Sequence, residues 1–152
     1  AKMIHVTEEI DPTLDPLWAD EKAVRQICLN LLSNAIKFTP QNGEVKLIIG
    51  RDGSGGQKIE VIDTGPGIPE KELPLVLESF GRGSLAIKTA EQGTGLGLPI
   101  VKGLIDLHGG SLDLQSKLRV GTRVIVRFPA SRVITAMHPM RERMRPAYTI
   151  PR

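Results

Sequence analysis

The chain has 152 residues, of which 40% are hydrophobic and 24% charged, a composition typical of one folded globular domain. A single cysteine excludes an internal disulfide, and no run of about 18 apolar residues is present to span a membrane. The positive charge is concentrated from Ser131 onward, where five arginines accompany one glutamate. We therefore expect a folded domain over residues 1–130, a flexible basic tail over residues 131–152, and no nucleic-acid-binding face.

The predicted elements begin with two short strands, at residues 2–6 and 17–19, followed by a long helix. Asp20 is a suitable N-cap for this helix, and the chain should leave helical geometry after Phe38, because Thr39 precedes a proline. The apolar residues of the helix recur every three or four positions and define its buried face: Val24, Ile27, Cys28, Leu31, Leu32 and Ala35.

The second half of the chain alternates between strands and helices. Two alternating segments around residues 45–49 and 59–63 predict a hairpin, and a short helix follows at about 70–78. Residues 81–95 are rich in glycine and lack periodicity, which predicts a mobile loop. A helix over 96–108 should bury Ile100, Val101, Leu104 and Ile105, and strands at 111–116 and 122–128 complete the order. This order favours an α+β fold, a two-layer α/β sandwich.

The long helix also carries a polar stripe, made of Gln26, Asn30, Asn34 and Lys37. At 100° per residue these side chains fall within roughly 80° of arc, away from the apolar face. Amide oxygens suit Mg²⁺ and a lysine can neutralise phosphate, although a solvated polar face explains the stripe equally well.

Two glycine-containing segments could approach a ligand closely. Asp63 ends a strand just before Gly65 and Gly67, so its carboxylate could accept hydrogen bonds from an exocyclic amine. The segment 93–97 opens a helix, where free backbone amides can bind an anion. Each segment alone is compatible with an ordinary turn or a flexible linker.

Taken together, these segments resemble the N, G1, F and G2 boxes of histidine kinase ATP-binding domains. The matching motifs are Asn30-x-x-x-Asn34-Ala-x-Lys37-Phe38, Asp63-x-Gly65-x-Gly67, Phe80-Gly81-Arg82 and Gly93-Thr94-Gly95-Leu96-Gly97. The resemblance covers residues 2–129 and implies the Bergerat ATP-binding fold, in which a mixed, mostly antiparallel sheet packs on about three helices beneath a mobile ATP lid. It extends to DNA gyrase, the heat-shock chaperone ATPases and the mismatch-repair ATPases.

The resemblance also implies roles for individual residues, with ATP and Mg²⁺ as cofactors. Asn34 would coordinate Mg²⁺, Asn30 and Lys37 would act at the phosphates as the catalytic pair, and Asp63 would bind the adenine amino group. The remaining residues implied to contact the nucleotide are Phe38, Gly65, Gly67, Ile68, Phe80, Arg82, Lys88, Gln92, Gly93, Thr94, Gly95, Leu96 and Gly97.

The residue four positions before Asn34 favours a kinase over a hydrolase. Hydrolases of the superfamily place a glutamate there as the base for water, whereas this chain has Asn30, whose amide cannot take a proton near neutral pH. His5, His108 and His138 lack the acidic neighbour and helical-hairpin context of a phosphoacceptor. The resemblance therefore implies transfer to a histidine on a separate dimerisation domain, for relay to a response regulator receiver domain.

Further expectations concern the whole protein. The resemblance implies a cytoplasmic domain of a homodimeric parent, possible anchoring of that parent in the inner membrane, and a monomer for this chain alone. The segments 80–92 and 116–119 look like those of the PleC/PdhS group of alphaproteobacterial kinases. The alternatives are a degenerate nucleotide-sensing or docking module without phosphotransfer, and a tail that binds nucleic acid.

Overall fold

The computed structural model describes residues 2–76 and 97–136. Within them the strands are β1 His5–Ile10, β2 Glu44–Arg51, β3 Gln57–Asp63, β4 Ser111–Lys117 and β5 Gly121–Phe128. The helices are α1 Glu21–Phe38, the single turn α2 Leu73–Val76 and α3 Gly97–Leu107. Short 3₁₀ turns occur at Glu70–Glu72 and Ala130–Arg132. No helix in these two stretches is long and apolar enough to cross a bilayer.

The five strands form one sheet in the order β1-β2-β3-β5-β4. β1 runs parallel to β2, and the other neighbours are antiparallel. Alternate residues such as Val45, Val61 and Val124 project from one face of the sheet into a core shared with α1 and α3. The predicted α+β class and the mixed, mostly antiparallel sheet are confirmed.

The two long helices form as the apolar spacing predicts, with one correction. Asp20 caps α1 by accepting a hydrogen bond from the Lys22 amide at 2.9 Å, and α1 ends at Phe38. In α3, however, Ile100 remains 39% exposed. The predicted inward position of Ile100 is wrong because Leu98, Val101 and Ile105, spaced by three and four residues, already form the buried face.

The two predicted N-terminal strands are also corrected. β1 occupies His5–Ile10 because parallel pairing with β2 draws this segment into the sheet, although its glutamates are poor strand formers. Leu17 makes only an isolated bridge with Val133. Val133 and Ile134 are buried beyond the boundary predicted at residue 130, and the division of the chain at that point stays a prediction.

Candidate functional site

Three polar side chains lie side by side on neighbouring strands, where the apolar core of the sheet ends. Asp63 of β3 pairs with Thr122 of β5, which pairs in turn with Ser116 of β4. Direct register partners share a face of the sheet, and this face is the one that carries the core. Two residues back along β3, Val61 begins the next row, which is apolar. The sheet thus changes from an apolar wall to a polar row within one pleat.

The turn after β3 passes close to two other segments. The Gly65 amide donates to Asp63 Oδ1 at 2.8 Å, and a Cβ at Gly65 would lie 2.9 Å from the carbonyl oxygen of Phe38. Gly67 has a φ of +80°, and a Cβ there would lie 2.3 Å from the Lys117 carbonyl oxygen. Glycine is therefore required at both positions by the protein's own backbone.

The β4–β5 hairpin holds this turn from the other side. The Arg119 amide donates to the Pro66 carbonyl oxygen at 2.8 Å, and the Ile68 amide donates to Ser116 Oγ at 2.7 Å. Gly121 is packed so tightly that a Cβ would lie 1.9 Å from the Asp63 carbonyl oxygen. Asp63 and the turn after it are consequently positioned by backbone contacts together with the Ser116 hydroxyl.

Burial raises the pKa of Asp63 above its ordinary value, because the charged carboxylate loses hydration. The backbone amides of Gly65 and Thr122 oppose this shift by donating to the carboxylate. An open depression of about 350 Å³ lies at this end of the sheet, but its lining includes Ile62, Gln115 and Arg123, which the register places on the face opposite Asp63. A partly desolvated carboxylate is a strong acceptor for an N–H donor.

The polar stripe of α1 faces the beginning of α3. Gln26 Nε2 donates to Asn30 Oδ1 at 2.6 Å, and Asn30 Nδ2 donates to the Gly97 carbonyl oxygen at 3.4 Å. A Cβ at Gly97 would lie 2.6 Å from Asn34 Nδ2. The structure thus brings Gly97 next to Asn30 and Asn34, which lie 67 and 63 positions earlier in the sequence.

The last turn of α1 is closed by a lysine from the beginning of the described chain. Lys2 Nζ donates to the carbonyl oxygens of Ile36, Lys37 and Thr39 at 3.0, 2.9 and 2.8 Å. A cation at a helix C-terminus satisfies carbonyls that lack intrahelical partners. Lys2 therefore stabilises the part of α1 that carries Lys37 and Phe38.

Of the other predicted site residues, one is buried in the core and the rest lie outside the described residues. Ile68 is buried in the core with 4% of its surface exposed. The following lie outside the described residues: Phe80, Arg82, Lys88, Gln92, Gly93, Thr94, Gly95 and Leu96. The sequence analysis missed Ser116 and Thr122. Their inward alternation along β4 and β5 was a usable signal, but only the strand register places them beside Asp63.

The domain is thus a two-layer sandwich in which the sheet with the polar row packs against the asparagine-bearing helix α1. The family model described as histidine kinase-, DNA gyrase B- and HSP90-like ATPase matches residues 19–132. The chain belongs to this family, and the relatives below are named as histidine kinases. The prediction of a sensor histidine kinase ATP-binding domain is confirmed.

Two histidine kinases are similar to this chain in sequence. The chain is 38% identical over 131 residues to the circadian input-output histidine kinase CikA of Synechococcus elongatus, covering 86% of this chain and 17% of CikA. It is 45% identical over 114 residues to the histidine protein kinase DivJ of Caulobacter vibrioides, covering 73% of this chain and 18% of DivJ. The chain thus spans less than a fifth of the length of either relative.

Two solved structures show the same fold. The catalytic domain of histidine kinase ThkA matches with a TM-score of 0.69 and 29% identity, over 84% of this chain and 80% of that one. Full-length ShkA in complex with AMPPNP matches with a TM-score of 0.70 and 32% identity, over 83% of this chain and 25% of that one. These likenesses confirm the predicted fold class.

Proposed function

We propose that this domain binds Mg-ATP between the polar row and α1 and donates the γ-phosphoryl group to a histidine on a separate dimerisation domain. The phosphoryl group would then pass to an aspartate of a response regulator receiver domain. The parent protein would be a homodimer whose catalytic domain is cytoplasmic, where ATP is available. The similarity of this chain to several histidine kinases supports this proposal.

The observation that carries the proposal is the amide network at Asn30. Its side chain accepts from Gln26 and donates toward the Gly97 carbonyl oxygen, so it has the environment of a positioned neutral amide. No base for an attacking water is available at this position, because an amide does not take up a proton near neutral pH. Phosphoryl transfer depends mainly on positioning and charge stabilisation, which Asn30 and Lys37 would provide at the phosphates.

The remaining proposed roles divide between the end of the site that would hold the base and the end that would hold the phosphates. Asp63, helped by the turn containing Gly65 and Gly67, would accept hydrogen bonds from the adenine amino group. Phe38 would line the pocket beside the base. The backbone around Gly97 would lie near the phosphates, where the beginning of a helix favours negative charge.

The donor set suits Mg²⁺ that arrives with the nucleotide. Asn34 offers one neutral amide oxygen, and the described residues contain no cluster of three His, Cys, Asp or Glu side chains able to hold a metal alone. Mg²⁺ is commonly held by one or two protein ligands together with substrate phosphates and water. Bound there, the ion would neutralise phosphate charge, and Asn34 would orient it.

Neither described histidine is suited to be the acceptor. His108 is buried, its Nδ1 donates to the Leu104 carbonyl oxygen at 2.8 Å, and its Nε2 accepts the Asp20 amide at 3.1 Å. Both ring nitrogens are therefore occupied in a structural role. His5 lies on the exposed edge strand β1, without a helical hairpin around it. The acceptor should accordingly be supplied by another domain.

The test is to combine this chain, γ-labelled ATP, Mg²⁺ and a purified dimerisation domain from its own parent protein. We expect acid-labile label on the histidine of that domain, and no label when the acceptor domain is omitted. Binding of a non-hydrolysable ATP analogue without any transfer would instead identify a degenerate nucleotide-sensing or docking module. Absence of nucleotide binding by folded protein would refute the proposal.

A further inference from the structure

Helix α1 ends without the left-handed residue that commonly closes a helix. Thr39, which follows Phe38, has a φ of −81° and a ψ of 128°, because a residue before proline avoids helical geometry. The last four carbonyl groups of a helix lack intrahelical partners. The Ala35 carbonyl oxygen receives both the amide and the hydroxyl of Thr39, at 3.0 and 2.6 Å. The carbonyl groups that follow it need a donor from another part of the chain.

The ammonium group of Lys2 is that donor. It lies 3.0 and 2.9 Å from the carbonyl oxygens of Ile36 and Lys37, and 2.8 Å from that of Thr39. An ammonium group carries three protons, so it can donate to all three oxygens at once. Lys2 therefore replaces the missing helix cap with charge-assisted hydrogen bonds, one of which holds the main chain of Lys37 itself.

Backbone hydrogen bonds fix the segment that carries Lys2 to the loop after α1. The Asn42 amide donates to the Met3 carbonyl oxygen at 2.7 Å, and the His5 amide donates to the Gly43 carbonyl oxygen at 3.0 Å. From His5 onward the segment continues as β1, in parallel register with β2. The Lys2 side chain thus reaches the end of α1 from a backbone that is itself held in place.

We propose that Lys2 is a positioning residue for phosphoryl transfer, because it holds the last turn of α1 in the geometry from which Lys37 contacts the phosphates of ATP. This inference rests on the proposed function, which places Lys37 at the phosphates. Lys37 is the last but one residue of α1, and helix ends without a cap fray. A lysine in the last turn can also bond the carbonyl groups of its own helix end. Lys2 already occupies those groups and so keeps the Lys37 ammonium group from binding there.

The test measures the affinity of a non-hydrolysable ATP analogue, in the presence of Mg²⁺, for the unmodified chain and for Lys2→Met by calorimetric titration. We expect the affinity to fall by about fivefold, because the Lys37 side chain must then be ordered when the nucleotide binds. Lys2→Arg keeps a charged donor and should retain most of the affinity. Lys22→Met removes the same charge near the opposite end of α1. It is the matched control, and its affinity should be unchanged.

A double-mutant cycle with Lys37→Met separates positioning from a merely structural role. If Lys2 acts through Lys37, Lys2→Met should cause no further loss of affinity when Lys37→Met is already present. A merely structural role predicts unchanged affinity in Lys2→Met, since a domain that loses a small part of its stability is still almost entirely folded. Unchanged affinity in folded Lys2→Met, or an equal loss with and without Lys37→Met, would overturn the inference.

A milder variant keeps the inference testable if Lys2→Met fails to fold. Lys2→Gln retains a neutral donor, and we expect a smaller loss of affinity that again disappears in the presence of Lys37→Met. Full affinity in Lys37→Met alone would also overturn the inference, because Lys37 would then make no contact with the phosphates. Absence of nucleotide binding by the folded, unmodified chain would instead refute the proposed function itself.

Discussion

The two ends of the proposed nucleotide site are built differently. At the base end, Asp63 and its turn are held by short backbone hydrogen bonds and by glycines in contact with neighbouring carbonyl groups. At the phosphate end, Gln26 and Asn30 are joined within α1 at 2.6 Å, whereas the bond from Asn30 to the Gly97 carbonyl oxygen, which connects α1 to α3, is long, at 3.4 Å. Short, saturated contacts fix geometry more strongly than long ones.

This difference indicates that the base end is the more preorganised part of the proposed site. The base end can present its acceptors without rearrangement, which reduces the ordering cost of binding. The amides of the phosphate end are engaged with each other and with one backbone carbonyl group, so they can exchange these partners for phosphate oxygens or a metal ion. Substitutions at the two ends should therefore have different consequences for stability and for binding.

The largest expected effect is that of Gly121→Ala at the base end. The new Cβ would lie 1.9 Å from the Asp63 carbonyl oxygen, at a residue whose φ is +146°. We expect a loss of about 2–4 kcal/mol in the free energy of unfolding, measured by denaturant titration. Gly103→Ala is the control, since its Cβ would meet nothing within 4 Å, and it should stabilise α3 by about 0.5–1 kcal/mol. Similar losses in both variants would contradict the comparison.

Asp63→Asn should separate binding from stability. We expect ATP affinity to fall by about 10- to 100-fold, because a hydrogen bond to a charged acceptor is lost. Folding should not suffer at neutral pH, because the variant no longer buries a charge. Calorimetric titration and thermal unfolding of the same samples measure both effects.

The difference in stability between the unmodified chain and Asp63→Asn should change with pH in a defined direction. Since the pKa of Asp63 is raised in the folded state, the native chain binds more protons than the unfolded chain between the ordinary and the raised value. The contribution of Asp63 to stability is thus fully present below the ordinary carboxyl pKa and decreases as pH rises through the raised value. The stability of the unmodified chain relative to Asp63→Asn should therefore improve on acidification, and the opposite trend would refute the burial argument.

At the phosphate end, Asn34→Ala should change metal dependence more than folding. We expect ATP affinity in the presence of Mg²⁺ to fall by about tenfold, with little change when Mg²⁺ is absent, because the variant lacks the proposed metal ligand. Titrations with and without the metal measure this difference. Ser33→Ala, at the exposed neighbouring position, is the control. Equal losses under both conditions would assign Asn34 to packing against Gly97 instead.

The smallest effect is expected for Lys2→Met, which removes the cation from the C-terminus of α1. The loss should be about 1 kcal/mol in the free energy of unfolding, because three carbonyl groups lose a charged donor. Lys22→Met, near the opposite end of α1, should leave stability unchanged or slightly raised, since a cation there opposes the helix dipole. A thermal unfolding series of both variants distinguishes the two ends.

The sequence predicted those features that depend on local spacing. The cap at Asp20, the end of α1 at Phe38 and the hairpin of β2 and β3 are encoded by neighbouring residues, and they are confirmed. Four motifs in order also indicated the family, which the family model bears out. The individual site roles stay predictions, including those of the residues between 80 and 96 that lie outside the described chain.

The tertiary structure decided what depends on contacts between distant segments. Parallel pairing with β2 placed β1 at His5–Ile10, and packing against the core left Ile100 exposed. Strand register placed Ser116 and Thr122 beside Asp63. Helix periodicity and capping act over three or four residues, whereas register depends on which strands become neighbours. For that physical reason the sequence by itself determined the elements and the family, and only the folded sheet determined the composition of the polar row.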